Sequence, residues 1–149
     1  MSDLRSLYQE VLLDHSKRPR NFRQVEGAEQ HAEGYNPLCG DKVTIYLKMD
    51  GDRISDISFQ GSGCAISTAS ASILTETLKG KTRAEAESLF EAFHQMVTGQ
   101  APDPAAVPPM GKLVVFAGVA EFPLRVKCAT LAWHTLRSAL ENGKVISTE

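Results

Sequence analysis

Leu4, Leu7, Tyr8, Val11 and Leu12 recur at the three-and-four spacing of one helix face, which predicts an amphipathic helix over residues 3 to about 15. The stretch from Ser16 to Asn21 ends it, with Pro19 as the breaker. Residues 24–38 are polar and weakly patterned and read as a loop. The period then changes to two: Val43, Ile45, Leu47 and Met49 alternate with Lys42, Thr44, Tyr46 and Lys48, as in a half-buried strand. Asp50-Gly51 is a tight-turn dipeptide. A return strand over roughly Arg53 to Gln60 has Ile57 and Phe59 in phase and Ile54 out of phase, so it carries a bulge or starts late. Gly61-Ser62-Gly63 interrupts it immediately before Cys64.

From Cys64 the pattern turns helical. Ile66, Ala69, Ile73, Leu74 and Leu78 form an apolar stripe that Gly80 ends. Thr82-Arg83-Ala84-Glu85 is a capping box, opening a helix with Ala86, Leu89, Phe90, Phe93 and Val97 on one face and Gly99 as its stop. Four prolines (Pro102, Pro104, Pro108 and Pro109) make residues 100–112 an extended connection in which a helix cannot form. Leu113 to Val119 is apolar but too short to type by period, and a buried helix and a strand both fit. After Glu121-Phe122-Pro123 an extended lead-in reaches Cys128, where the last helix is expected to start. Its stripe is Ala129, Trp133, Leu136 and Leu140, and Asn142-Gly143 is its stop. Helices beside a small antiparallel sheet imply an α+β fold. Without repeats or a composition break, residues 1–149 read as one domain.

Composition narrows the function classes. A chain of 149 residues with 42% hydrophobic and 23% charged residues is an ordinary globular domain large enough to bury a core. A net charge of −2, with few aromatics among the basic residues, argues against a nucleic-acid partner. The longest apolar run is far too short to span a bilayer, and the N-terminus lacks a signal-peptide pattern, so no membrane partner and a cytoplasmic location are expected. Lys17, Arg18, Arg20 and Arg23 cluster after the first helix and read as a solvated loop, or else as a docking surface for an acidic partner. Of the histidines, His15 and His31 are expected to be solvated, His94 exposed, and His134 at the surface or half-buried.

Three cysteines cannot all pair within one chain, so a disulfide framework is not indicated. Cys64 and Cys128 both follow a break or extended lead-in and precede a helix, where unpaired N–H groups and the dipole favour thiolate. Cys39-Gly40-Asp41 places a third thiol and a carboxylate two residues apart in a loop. Three thiolates and one carboxylate suit four-coordinate zinc. The dispersed spacing leaves two readings open: one shared site, or three separate core cysteines packing as small hydrophobes.

Three segments resemble one family. Asn36-Pro37-Leu38-Cys39-Gly40-Asp41, Gly61-Ser62-Gly63-Cys64-Ala65-Ile66-Ser67 with Ala69-Ser70-Ala71-Ser72, and Arg125-Val126-Lys127-Cys128-Ala129-Thr130-Leu131-Ala132-Trp133 are similar to SufU proteins. These form a branch of the IscU and NifU-N-terminal-like iron–sulfur assembly superfamily. The opening helix and Pro19-Arg20-Asn21 also resemble that family's start, so the likeness covers nearly the whole chain. It implies the small antiparallel sheet packed against several helices that those proteins share. It implies a zinc ion held by Cys39, Asp41, Cys64 and Cys128. It implies that Cys39 accepts persulfide sulfur from a SufS-type cysteine desulfurase, which carries the pyridoxal phosphate and supplies a histidine that replaces Cys39 on zinc. A downstream iron–sulfur scaffold or other sulfur acceptor would follow, and Arg125 either steers or steadies the persulfide or is an exposed charge near the site. IscU proteins carry histidine immediately before their last cysteine, where this chain has Lys127, and the segment at about 80–112 is longer here. Both departures match SufU. The alternative is an IscU-type scaffold carrying iron or an iron–sulfur cluster.

Overall fold

The computed structural model describes residues 2–24, 30–37, 40–99, 111–141 and 146–147. Helix α1 (Ser2–Lys17) is followed by strands β1 (Gln30–Asn36), β2 (Asp41–Asp50) and β3 (Arg53–Ser62). Helices α2 (Ala65–Leu78) and α3 (Arg83–Val97) come next, then a 3-10 helix (Gly111–Glu121), helix α4 (Pro123–Leu140) and a two-residue strand β4 (Ile146–Ser147). The sheet order is β3-β2-β1-β4. The first three strands are antiparallel, and β4 lies parallel to β1. Helix α4 packs on β1 and β2 and α2 packs on β3, while α1, α3 and the 3-10 helix extend the helical layer. This is the α+β sandwich that the pattern predicted.

The β2–β3 hairpin follows its alternation. Val43, Ile45 and Leu47 are buried, whereas Lys42 and Lys48 are exposed, so one face of the sheet meets the helices and the other meets solvent. Lys48 pairs with Asp56 and Met49 with Ile54, leaving Ser55 as an extra residue. That bulge is why Ile54 falls out of phase yet reaches the core beside Ile57. The capping box at Thr82 is complete: Glu85 N–H donates to Thr82 Oγ1, and Thr82 N–H donates to Glu85 Oε1. The 113–119 ambiguity resolves as the 3-10 helix, which buries Leu113, Val115, Phe116 and Val119.

Four expectations need correction. Residues 30–36, read as loop, form β1. The core-facing positions of this strand are Ala32, Gly34 and Asn36, which lack the bulk that makes alternation visible. Gly34 is small because a side chain there would overlap Thr135 of α4, so close helix–sheet contact replaced the hydrophobic signal. The last helix starts at Pro123, not near Cys128. Pro123 is its first residue, where a missing N–H costs nothing, rather than a breaker. Cys128 therefore lies beyond the first turn, and the expected helix-start environment applies to Cys64 alone. The proline-rich stretch 100–110 and the stop at Asn142-Gly143 lie outside the described residues.

The third correction concerns His15, which is 1% exposed rather than solvated. Its Nδ1 lies 2.7 Å from Ser72 Oγ, and that hydroxyl accepts the Arg20 N–H at 2.8 Å. The Ser72 hydroxyl thus joins the His15 ring to the Arg20 backbone. Helix α1, the Pro19-Arg20 turn and α2 are tied together at this point. His94 is half-buried rather than exposed, stacked on Phe90. His134 is half-buried and meets the same ring edge-on. Burial holds His15 and His134 below the ordinary imidazole range; neighbouring Arg20 and Lys112 add to this at His15, and His94 and Arg137 at His134. Above about pH 6.5 both rings are neutral, folded or unfolded. Below that the unfolded chain takes up protons first, so stability falls with pH until the folded rings also protonate. The melting temperature is expected to drop between pH 7.5 and 5.5, and less so in His15→Gln. An identical slope in the variant would exclude His15 as a cause.

Of the basic cluster, Arg20 pairs with Asp14 at 2.7 Å and Arg23 with Asp56 at 2.8 Å, so these two fasten the loop to its neighbours. Lys17 and Arg18 are exposed.

Candidate metal centre

Asp41, Cys64 and Cys128 come from three different elements and meet at one end of the sandwich, with their ligand atoms all within 4.8 Å of one another. Asp41 is the first residue of β2 and is 2% exposed. Its Oδ1 accepts the Cys64 N–H at 2.7 Å, and Oδ2 lies 3.7 Å from Cys64 Sγ. Cys64 is the N-cap of α2, in an extended conformation, and its Sγ accepts the Ser67 N–H at 3.4 Å. A sulfur in this position faces the positive end of the helix dipole. Cys128 lies in α4, 3% exposed, and its Sγ accepts the Asn36 side-chain N–H at 3.6 Å.

Two further residues shape the centre. Asn36, fully buried at the end of β1, is the register partner of Asp41. The connection 37–40 therefore springs from a base whose two ends both point into the site. Gly63 lies just before Cys64, and a Cβ there would sit 2.5 Å from Asp41 Oδ1. Glycine at 63 leaves room for the carboxylate. Both lie in the segments that carry the family resemblance, but only the ligand types were legible. A buried asparagine and a glycine of close approach show their roles only once strands and helices are assembled.

Cys39 lies outside the described residues, although the ends of its connection, Asn36 and Asp41, are described. Gly40 beside it has a φ of +72°, a left-handed conformation that a side chain would strain. Arg125 is exposed on the first turn of α4, with its guanidinium 4.5 Å over the Phe122 ring. Lys127 is half-buried immediately before Cys128.

The donor set fits a borderline-soft cation. Two thiols and a carboxylate are zinc ligand types, with bond lengths of about 2.0–2.3 Å, and one ion can draw together atoms already this close. Asp41 supplies the stronger argument. A buried carboxylate beside two sulfurs is costly unless a cation compensates it, and among the described residues no ion pair reaches it.

Residues 7–142 match the family described as the NifU-like N terminal domain. The chain belongs to that family. Two of its relatives are similar to it over most of their length. The iron–sulfur cluster assembly scaffold protein IscU of Streptococcus pyogenes serotype M1 is 45% identical over 143 residues, covering 96% of this chain and 88% of that one. The zinc-dependent sulfurtransferase SufU of Bacillus subtilis strain 168 is 40% identical over 142 residues, covering 95% and 92%. Among solved structures, FiSufU from the thermophile Fervidobacterium islandicum AW-1 superposes with a TM-score of 0.82 at 39% identity, covering 91% of this chain and 97% of that one. A NifU-like N-terminal protein from Brucella abortus shares the fold at 21% identity, also with a TM-score of 0.82. Among the described residues no helix of this NifU-like chain is long and apolar enough to cross a membrane.

Proposed function

We propose that this chain is a zinc-dependent sulfurtransferase that takes persulfide sulfur from a SufS-type, pyridoxal-phosphate-dependent cysteine desulfurase and passes it onward for iron–sulfur cluster assembly. The observation that carries the reading is the convergence of Asp41, Cys64 and Cys128 within 4.8 Å around a buried carboxylate that has no ion pair among the described residues. Cys39 completes the ligand set. When bound, zinc keeps these thiols deprotonated at neutral pH. Residues 1–149 act as one domain, with α3 as the body of the longer segment at about 80–112.

The ligands have unequal parts. Cys64, fixed as an N-cap, and Cys128, held in α4 by Asn36, are anchors. Asp41 is anchored by the Cys64 N–H. Cys39 rides on the connection between paired Asn36 and Asp41, where Gly40 permits a left-handed turn, and is the ligand that leaves. Its thiolate attacks the terminal sulfur of the desulfurase persulfide. A new S–S bond forms on Cys39, the old one breaks, and its electron pair leaves with the desulfurase thiolate, with no net oxidation. Exposed Arg125 lies on the first turn of the helix that holds Cys128 and offers positive charge to the incoming persulfide anion. A cytoplasmic site of action suits chemistry that needs reduced thiols.

The test is desulfurase turnover with cysteine as substrate. Wild type is expected to raise turnover with the desulfurase at least tenfold, and Cys39→Ser to abolish the increase while keeping the fold. Equal stimulation by the variant would overturn the reading. The scaffold alternative is favoured by the names of several relatives, the 45%-identical IscU and the FiSufU structure among them. Lys127 opposes it, because the resemblance to IscU implies a histidine at this position and a protonated lysine is a poor ligand. Anaerobic reconstitution that yields a cluster transferable to an apo-acceptor would favour the scaffold.

A further inference from the structure

The side chain of Asn36 is fully buried, touches the candidate centre and is not one of its ligands. Its Nδ2 donates to Cys128 Sγ at 3.6 Å, while its Oδ1 is buried with no hydrogen-bond partner among the described residues. A buried carbonyl oxygen left unpaired is a cost that native structures seldom carry without reason. Leucine would fill nearly the same volume without that cost. Among the described residues, the one bond the amide makes is the donor bond to Cys128. Asparagine is also the side chain of this size that donates an N–H without a charge. Aspartate would set a second carboxylate against the sulfur, and a cationic residue would compete with a metal ion for it.

Position adds a second argument. Asn36 pairs in register with Asp41, so the two sit side by side at the base of the connection that carries Cys39. One is tied to Cys128 and the other to the Cys64 N–H. Together they join β1 to α4 and β2 to α2 at the same point.

We infer that Asn36 is a positioning residue of the centre: its N–H orients and steadies the Cys128 sulfur so that Cys128, Asp41 and Cys64 stay assembled. This rests on the zinc reading above. An N–H donated to a metal-bound thiolate lowers the energy of the sulfur lone pair. Its removal leaves a more strongly donating but less well-oriented sulfur, so the effect is spectroscopic as well as kinetic.

The full-length protein loaded with cobalt(II) as a zinc probe tests the spectroscopy, and zinc release to a chromophoric chelator tests the retention. In Asn36→Leu the thiolate-to-cobalt charge-transfer band is expected to move to lower energy, and zinc to leave about tenfold faster, within the range typical of lost outer-shell partners. The metal-free melting temperature of Asn36→Leu is expected to match or exceed that of wild type. Asn36→Asp is expected to release zinc faster still. An unshifted cobalt band with wild-type zinc release in Asn36→Leu would overturn the Asn36 role while leaving the zinc reading intact. Faster release matched by an equal loss of metal-free stability would reduce Asn36 to a packing residue. A wild-type chain that binds neither cobalt nor zinc would sink the functional reading itself.

Discussion

Asp41→Asn is expected to lower zinc affinity by about 100-fold or more, while the metal-free protein melts at or above the wild-type temperature. The two halves of that result have one cause. In the folded chain Asp41 is 2% exposed, its Oδ1 bound to the Cys64 N–H and its Oδ2 3.7 Å from Cys64 Sγ. Without a cation, a carboxylate is being kept out of water beside sulfur, which destabilises the fold. Asparagine preserves the Oδ1 bond and replaces Oδ2 by a donor facing the sulfur, so the metal-free chain loses nothing and sheds a buried charge. With a cation, the same change removes one anionic ligand from the set. Chelator competition for affinity and circular dichroism melts with and without metal separate these effects. A variant that binds zinc like wild type would remove Asp41 from the site. A metal-free variant that melts well below wild type would show that the carboxylate serves the fold rather than a cation.

Trp133→Ala is expected to cost about 3–5 kcal/mol, a large part of what a domain of this size has to lose. Trp133 is fully buried in α4, stacked on Phe93 at 5.1 Å, with Phe90 edge-on at 6.2 Å. Phe93 in turn meets Phe116 of the 3-10 helix at 5.5 Å. One ring thus joins α4, α3 and the 3-10 helix, and alanine would leave a cavity where three elements meet. The melting temperature should fall by roughly 10 °C or more. Trp133→Phe should fall much less, because the lost volume is smaller and because Trp133 Nε1 is a buried donor without a partner among the described residues. Trp133 is the chain's single tryptophan, so circular dichroism rather than fluorescence is the measurement. A loss below about 1 kcal/mol in Trp133→Ala would mean that the three elements close over the gap.

Some of this architecture is written locally in the chain. The β2–β3 hairpin is legible because large apolar residues alternate along β2 and Gly51 turns the chain, and even the bulge shows as the phase slip at Ile54. The start of α3 is legible because its capping box lies within four consecutive residues. Strand β1 is not, because its inward side chains are small or polar and answer to Thr135 and Cys128, about a hundred residues away. The start of α4 was misplaced because proline marks both a helix's first residue and its end. His15 was misjudged because its burial depends on Ser72 in another helix.

The candidate centre divides the same way. The donor types are legible residue by residue, and the resemblance to SufU groups Cys39, Asp41, Cys64 and Cys128. Spacings of 23 residues between Asp41 and Cys64 and 64 between Cys64 and Cys128 carry no distance of their own, since a chain can close such loops in many ways. Tertiary structure decided that Asp41, Cys64 and Cys128 meet within 4.8 Å, that Gly63 leaves space for the carboxylate, and that Asn36 stands behind Cys128. Donor chemistry belongs to single residues and is read one at a time. Convergence belongs to the packing of β1 and β2 against α2 and α4, and exists only once that packing has formed.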